Sequence, residues 1–261
     1  MRLGPLPLRA CILAACCLAV PAFAGTPVEA ETGETKLAPE EAQNVLAELT
    51  ESFSKQPCVR AKLNCAVEDL LGKREVRGEM LFKRPDTLLR RTQSGKDWTV
   101  VRLSGTTLRE YYPGTGGDPG KLYEKDFGRA PKALALVRAG ITLDVKALSK
   151  YFDLHLFKKP AEGGAPAQLR LVLARKEGVK LVLHQGTKEG EDLPYQYVIA
   201  RLDEGAPFFR SIERLPAEGQ GDPMTETFTE FKTDALADAD FKDEKLDGKP
   251  GQVDQVKDLE E

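Results

Sequence analysis

The sequence predicts an α+β protein in which a curved antiparallel sheet carries helices on one side. Three observations predict it. One amphipathic helix opens the folded part, and from Val59 the apolar period changes from 3.6 to 2 and holds through a run of short strands. Two helical pieces then separate that run from a second one. Elements segregated in this way make an α+β fold, whereas an α/β fold would alternate them.

Residues 1–24 read as a signal peptide. Arg2 and Arg9 bracket the n-region, Ala10 to Val20 is uncharged, Pro21 breaks the helix, and Ala22-Phe23-Ala24 offers the small residues of a cleavage site. An eleven-residue apolar run is too short to span a bilayer. The competing lipobox reading, Leu13-Ala14-Ala15-Cys16, would leave Cys16 acylated, but the run after it is apolar where a tether would be polar. Cleavage after Ala24 is the expectation, with export to the periplasm in both cases. It leaves 237 residues, enough for one sizeable core, and lowers 38 basic residues to 36 against 41 acidic ones. A mildly acidic chain lacks the basic surface that nucleic acid requires.

Residues 25–36, small and acidic, are expected to be a flexible leader. Pro39 suits the first position of a helix whose face holds Ala42, Val45, Leu46, Leu49 and Phe53, and Pro57 bars its continuation. Strands are expected at 59–68, 74–84, 88–93, 98–103, 107–112 and 121–124. Helices follow at 130–139, ending at Gly140, and at 144–152. Strands return at 153–158, 167–175, 179–184, 195–202, 207–215 and 224–232. The polar segment 242–261 is expected to be a mobile tail, so 37–241 forms one domain. Cys58 and Cys65, seven apart on one strand, point to opposite faces about 23 Å apart, beyond disulfide reach. Cys65 should be a buried free thiol.

Enzymatic signals are nearly absent, and no catalytic residue, metal site or cofactor is expected. His155 and His184 sit singly in strand patterns, and no Gly-x-Ser-x-Gly elbow occurs. The stretch Pro113 to Lys121 resembles a phosphate loop only superficially. Thr115 stands where that loop needs glycine and Leu122 where it needs Ser or Thr, so a hairpin connection is expected.

Two stretches carry more. Gly78-Glu79-Met80-Leu81-Phe82-Lys83-Arg84-Pro85-Asp86 is a strand ending in a basic residue before proline, and proline holds Arg84 extended. Leu103-Ser104-Gly105-Thr106-Thr107-Leu108-Arg109-Glu110-Tyr111-Tyr112-Pro113 is a strand entered through a glycine turn. Together they resemble the periplasmic outer-membrane lipoprotein carrier family of the LolA type, with a weaker likeness from about Pro39 to Asp247. Leu88 departs from the aromatic common in that family. The resemblance implies an incomplete β-barrel with a helical lid, non-enzymatic carriage of lipoprotein acyl chains, and monomeric action. It also implies an inner-membrane donor complex and an outer-membrane acceptor. By the same resemblance Arg84 is the switch, reaching lid helices near 130–152 and holding the empty cavity closed.

Alternation of side chains nominates inward positions for such a cavity. They are Leu63, Cys65 and Val67 on one strand, Met80 and Phe82 on the next, and Trp98 and Val100 further on. Leu169, Leu171 and Leu173, then Tyr197, Ile199 and Phe228, follow in the second run. The same residues equally describe a solid core. Two alternatives accompany the carrier reading: a carrier of free lipid, glycolipid or polyisoprenoid, and a sensor or interaction protein using the same fold.

Overall fold

The structure, a computed structural model, describes residues 27–69, 72–94, 96–114, 119–179, 195–206, 208–216 and 223–255. After a two-residue strand, β1 (Thr35–Lys36), comes helix α1 (Pro39–Lys55). The first meander is β2 (Cys58–Asp69), β3 (Gly72–Lys83), β4 (Thr87–Ser94), β5 (Asp97–Ser104), β6 (Thr107–Tyr112) and β7 (Lys121–Asp126). Helices α2 (Pro131–Thr142) and α3 (Val145–Leu148) follow. The second meander is β8 (Phe152–Lys159), β9 (Gln168–Arg175), β10 (Tyr195–Asp203), β11 (Ser211–Pro216) and β12 (Met224–Lys232), and β13 (Gln252–Gln255) comes near the end.

All these strands join one sheet, ordered β1-β8-β9-β10-β11-β12-β2-β3-β4-β5-β6-β7-β13. Pairing of β12 with β2 docks the second meander onto the first, from Met224↔Val67 to Phe228↔Leu63. Every pair is antiparallel except β13 with β7. β1 and β13 remain as edges, so the sheet curls without closing. The expected α+β class with a curved antiparallel sheet is what the structure has.

Gly78 shows how tightly the sheet curls. A Cβ built there would lie 1.8 Å from the Arg91 carbonyl oxygen on the neighbouring strand. Only glycine lets the strands approach so closely at this point.

The inner face is apolar where the helices cover it. α1 starts with Pro39, has Glu40 and Glu41 in its first turn and Lys55 in its last, matching the helix dipole. It buries Leu46, Leu49 and Phe53 against the same cluster as Leu63, Met80, Leu171 and Phe228, which α2 and α3 extend with Ala133, Leu134 and Leu148. Phe53, Phe208, Phe209 and Phe228 stack edge to face within it, with centroids 5.1–5.3 Å apart in three of their pairs.

Several expected boundaries differ. α2 runs through Gly140 to Thr142, because packing against the sheet outweighs one glycine's propensity cost. The helix expected over 144–152 is only α3, capped by the Asp144 carboxylate accepting from the Ala147 N–H at 3.0 Å. The strand expected from 207 begins at Ser211, since Phe208 and Phe209 turn inward as core instead. The strand expected at 179–184 falls outside the described residues, Val179 apart.

The leader and tail differ most, in their described parts. Thr35 and Lys36 pair with Lys158 and Phe157. Arg170, 2% exposed, binds the Glu34 carboxylate at 2.6 Å and donates to the Pro27 and Glu29 carbonyls at 2.8 and 2.7 Å. The tail lies across the outer face. Arg91 donates to Asp243 at 2.9 Å, Arg109 to the Leu246 carbonyl at 2.7 Å, and Leu246 is wholly buried. The described parts of the expected leader and tail thus make specific contacts with the outer face of the sheet. Their polar composition hid the mechanism, which is outer-face arginines capturing backbone carbonyls.

Candidate functional site

The candidate site is the inner face of the curled sheet, and two arginines tie its helical cover down. Arg84 donates through Nε to the Gln56 carbonyl at 3.0 Å and through Nη2 to the Phe53 carbonyl. Gln56 caps the C-terminus of α1, and the Phe53 carbonyl in the last turn also accepts from the Gln56 N–H at 3.2 Å. Burial lowers the Arg84 pKa, and its guanidinium lies 5.5 Å over the Phe82 ring. The expected contact with helices near 130–152 is replaced by this contact with α1, because Pro57 turns the chain so that α1 ends beside the β3–β4 turn.

The link to the later helices comes from the other side. Arg138 on α2 reaches Asp86, two residues past Arg84, at 2.8 Å and also donates to the Gly105 carbonyl at 3.1 Å. The Thr50 hydroxyl of α1 lies 3.0 Å from the carbonyl of Leu143, which joins α2 to α3 in a left-handed conformation (φ +55°).

Beyond the helices the inner face becomes polar. Glu226, almost fully buried on β12, binds Arg214 of β11 and Arg90 of β4, each at 2.5 Å. Burial would raise the Glu226 pKa, but Arg214 and Arg90 outweigh it and hold the group below the usual carboxylate range. Cys65 sits beside this array, its thiol pushed up by burial and by Glu226. Lys125 and Glu110 form a second buried pair at 2.8 Å. Tyr112, near Glu110 and Arg90, is pushed to about 12, mainly by burial, and meets Tyr123 edge to face at 5.9 Å.

Of the nominated cavity residues, Leu63, Met80, Leu169, Leu171, Leu173 and Phe228 gather in the single cluster under the helices. Phe82 shares the face of Met80 by strand alternation and is 1% exposed. Cys65 shares that of Leu63 but borders the charged array. Four nominees face the other way. Trp98 and Val100 line an outer cleft of ≈ 270 Å³ beneath Asp243–Lys245. Tyr197 and Ile199 pack outside with Phe157, Val172 and Val28. The outer face is covered by leader and tail, so both phases of these strands read as apolar and the wrong one was the larger. The side chain of Val67 lies outside what is described, and so does His184.

Alternation had not flagged Arg90, Arg214 or Glu226. The signal was present: Glu226 stands between Met224 and Phe228, a charge flanked two residues away on each side by apolar inward positions. Cys58 and Cys65 are both buried and free. His155 is half-buried on the outer side, its pKa lowered by burial and Lys36. Among the described residues no three metal-ligating side chains converge, and no helix is long and apolar enough to cross a membrane.

A curled, unclosed sheet bearing helices on its inner face is the architecture the LolA resemblance implied. Solved structures similar to this chain include a LolA superfamily protein from Nitrosomonas europaea. It is 11% identical, over 77% of this chain and 97% of that one, at a TM-score of 0.36. LprF from Mycobacterium bovis is 12% identical, over 77% and 97%, at 0.37. The Pseudomonas aeruginosa MucA/MucB complex is 15% identical, over 78% and 61%, at 0.40. Likeness of this degree says nothing of ligand or partner. No family model and no curated protein matches the sequence.

Proposed function

We propose that this protein is an exported, non-enzymatic carrier that takes the acyl chains of a lipid or lipoprotein against the inner face of its sheet. The observation carrying this reading is the helical cover. α1, α2 and α3 meet the sheet through an apolar cluster, while localised polar links at Arg84, Arg138 and Thr50 fix their positions. Such a cover can exchange one apolar surface for another, since acyl chains gain roughly 0.8 kcal/mol per buried methylene. Opening is then a population shift governed by the ligand's greater affinity for the open form. Arg84 and Arg138 act as clasps that favour the closed form, and the exchange of clasp contacts for acyl contacts sets how readily cargo is released. Carriage of lipoproteins from an inner-membrane donor to an outer-membrane acceptor is the specific form of this proposal.

Native mass spectrometry of the mature protein, isolated from its periplasm without detergent, tests the reading. A bound acylated peptide supports lipoprotein carriage, and a free lipid keeps the carrier and changes its cargo. An empty protein that also fails to bind an acyl fluorophore overturns it.

A further inference from the structure

We infer that the inner face also holds a headgroup site for a singly or doubly charged anion, a carboxylate or phosphate on an amphiphile, built from Arg90 and Arg214. The inference rests on the carrier reading for the chains and adds the recognition of their polar end. Its basis is a charge imbalance in a sheltered place. Glu226 is shared by two guanidiniums and engages Nη1 of each. A second buried pair, Lys125–Glu110, brings one charge of each sign. Neighbours of the array include the Cys65 thiol, pushed up by burial, and the Tyr112 phenol, pushed up to about 12, both neutral at pH 7. Among the described residues the array therefore carries one positive charge in excess, and a buried charge is costly unless an opposite one meets it.

Access fits as well. The Glu226 side chain is 4% exposed, but those of Arg90 and Arg214 are 29% and 25% exposed, so the carboxylate is sealed while both arginine side chains reach the surface of the inner face. A guanidinium has five N–H donors in a planar fork that suits carboxylate and phosphate. Leu63 and Phe228 lie on the same two strands as Cys65 and Glu226, two residues away toward the helices. An amphiphile with its anion on the arginines would lay its chain directly onto the apolar cluster.

The test is displacement of a neutral acyl fluorophore from the full mature chain by dodecanoate, dodecyl phosphate and 1-dodecanol. We expect either anion to compete about tenfold better than the alcohol, and Arg214→Gln and Arg90→Gln each to erase most of that preference while leaving dodecanol unchanged. Arg90→Lys should retain part of it. Equal competition by acid and alcohol overturns the headgroup site and leaves the carrier reading standing. A preference unchanged in both glutamine variants also overturns it. Binding of none of the three overturns both. Thermal stabilisation by inorganic phosphate with no chain-length dependence would make this an ion site and overturn the amphiphile. Where a variant fails to fold, the acid-to-alcohol ratio of the unaltered protein decides.

Discussion

Arg90 on β4 and Glu226 on β12 meet at 2.5 Å although β3 and β2 lie between their strands. Three strand spacings are about 14 Å on a flat sheet, where both side chains would have to lie down to touch. Curl brings them together standing up from the inner face. The pair thus depends on the sheet's shape and, once made, resists its flattening. Removing the shared charge leaves Arg90 and Arg214 without compensation, so Glu226→Gln should cost about 3–5 kcal/mol, measurable by urea denaturation. Because the folded pKa of Glu226 is depressed, its contribution is complete above pH 4.5, the unfolded value, and is lost as pH falls through the lower folded one. The acid limb of the stability profile should therefore be shallower in Glu226→Gln than in the unaltered protein. Parallel limbs would show that the carboxylate is not coupled as described.

The same curl depends on Gly78. Alanine there would place a methyl 1.8 Å from a backbone carbonyl oxygen, which has no flexible end to move aside. Gly78→Ala is expected to destabilise by about 1–3 kcal/mol or more, and the Arg90–Glu226 pair should loosen with it. Additivity of Gly78→Ala with Glu226→Gln in a double-mutant cycle would separate the two effects and refute that link.

Much of this fold was legible because its signals are local. The Pro39 and Pro57 boundaries, the apolar face of α1, the Gly105 turn and the phase of Leu169, Leu171 and Leu173 each follow from neighbours in sequence. What was illegible depends on distant strands. Whether Tyr197 or Val198 faces inward is undecidable when leader and tail bury the outer face as thoroughly as helices bury the inner one. The clasp on α2 was missed because Arg138 and Asp86 are brought together only by α2 packing across the β3–β4 turn. The Arg90–Arg214–Glu226 array spans both meanders, so only the β12–β2 pairing assembles it.

Arg84 bears on α1 in particular. Its two hydrogen bonds reach the Phe53 carbonyl in the last helical turn and the carbonyl of Gln56, which ends the helix, and charged hydrogen bonds contribute about 1.5–3 kcal/mol each at most. Arg84→Leu should speed amide exchange in the last turn of α1 without changing protection in β2 and β3. Faster exchange spread evenly over the sheet would indicate a general structural role and remove the clasp.

Arg138 and Asp86 should be coupled to each other and only weakly to Arg84. The pair is partly buried, 34% and 23% exposed, which places its coupling near about 1 kcal/mol, at the upper end of the exposed range. A cycle of Arg138→Gln and Asp86→Asn, read by chemical denaturation, measures it. If the two clasps act on one cover, each single change should also slow release of a bound acyl fluorophore, because the closed form that expels it is weakened. Coupling in stability with no change in release rate would confine the pair to structure.

The segment before β1 offers the sharpest test of how the sheet's outer face is completed. Arg170 is 2% exposed, lies 4.1 Å over the Phe157 ring, and finds its partners in residues 27–34. Glu34 answers it with a carboxylate that burial would raise, but that hydrogen bonding to Arg170 and to Glu31 holds below the usual range. Glu34→Gln keeps the shape and deletes the charge, leaving a buried guanidinium with carbonyls as its nearest partners and Glu31 3.5 Å away at an exposed position. The expected loss is about 3 kcal/mol, with protease nicking in residues 27–36 well below the global unfolding midpoint. Restoring neutrality with Arg170→Met in the same chain should recover a large part of that loss, since a well-packed apolar side chain can replace a buried ion pair. If the double variant is as unstable as Glu34→Gln alone, the leader is held by its backbone contacts and the ion pair is incidental.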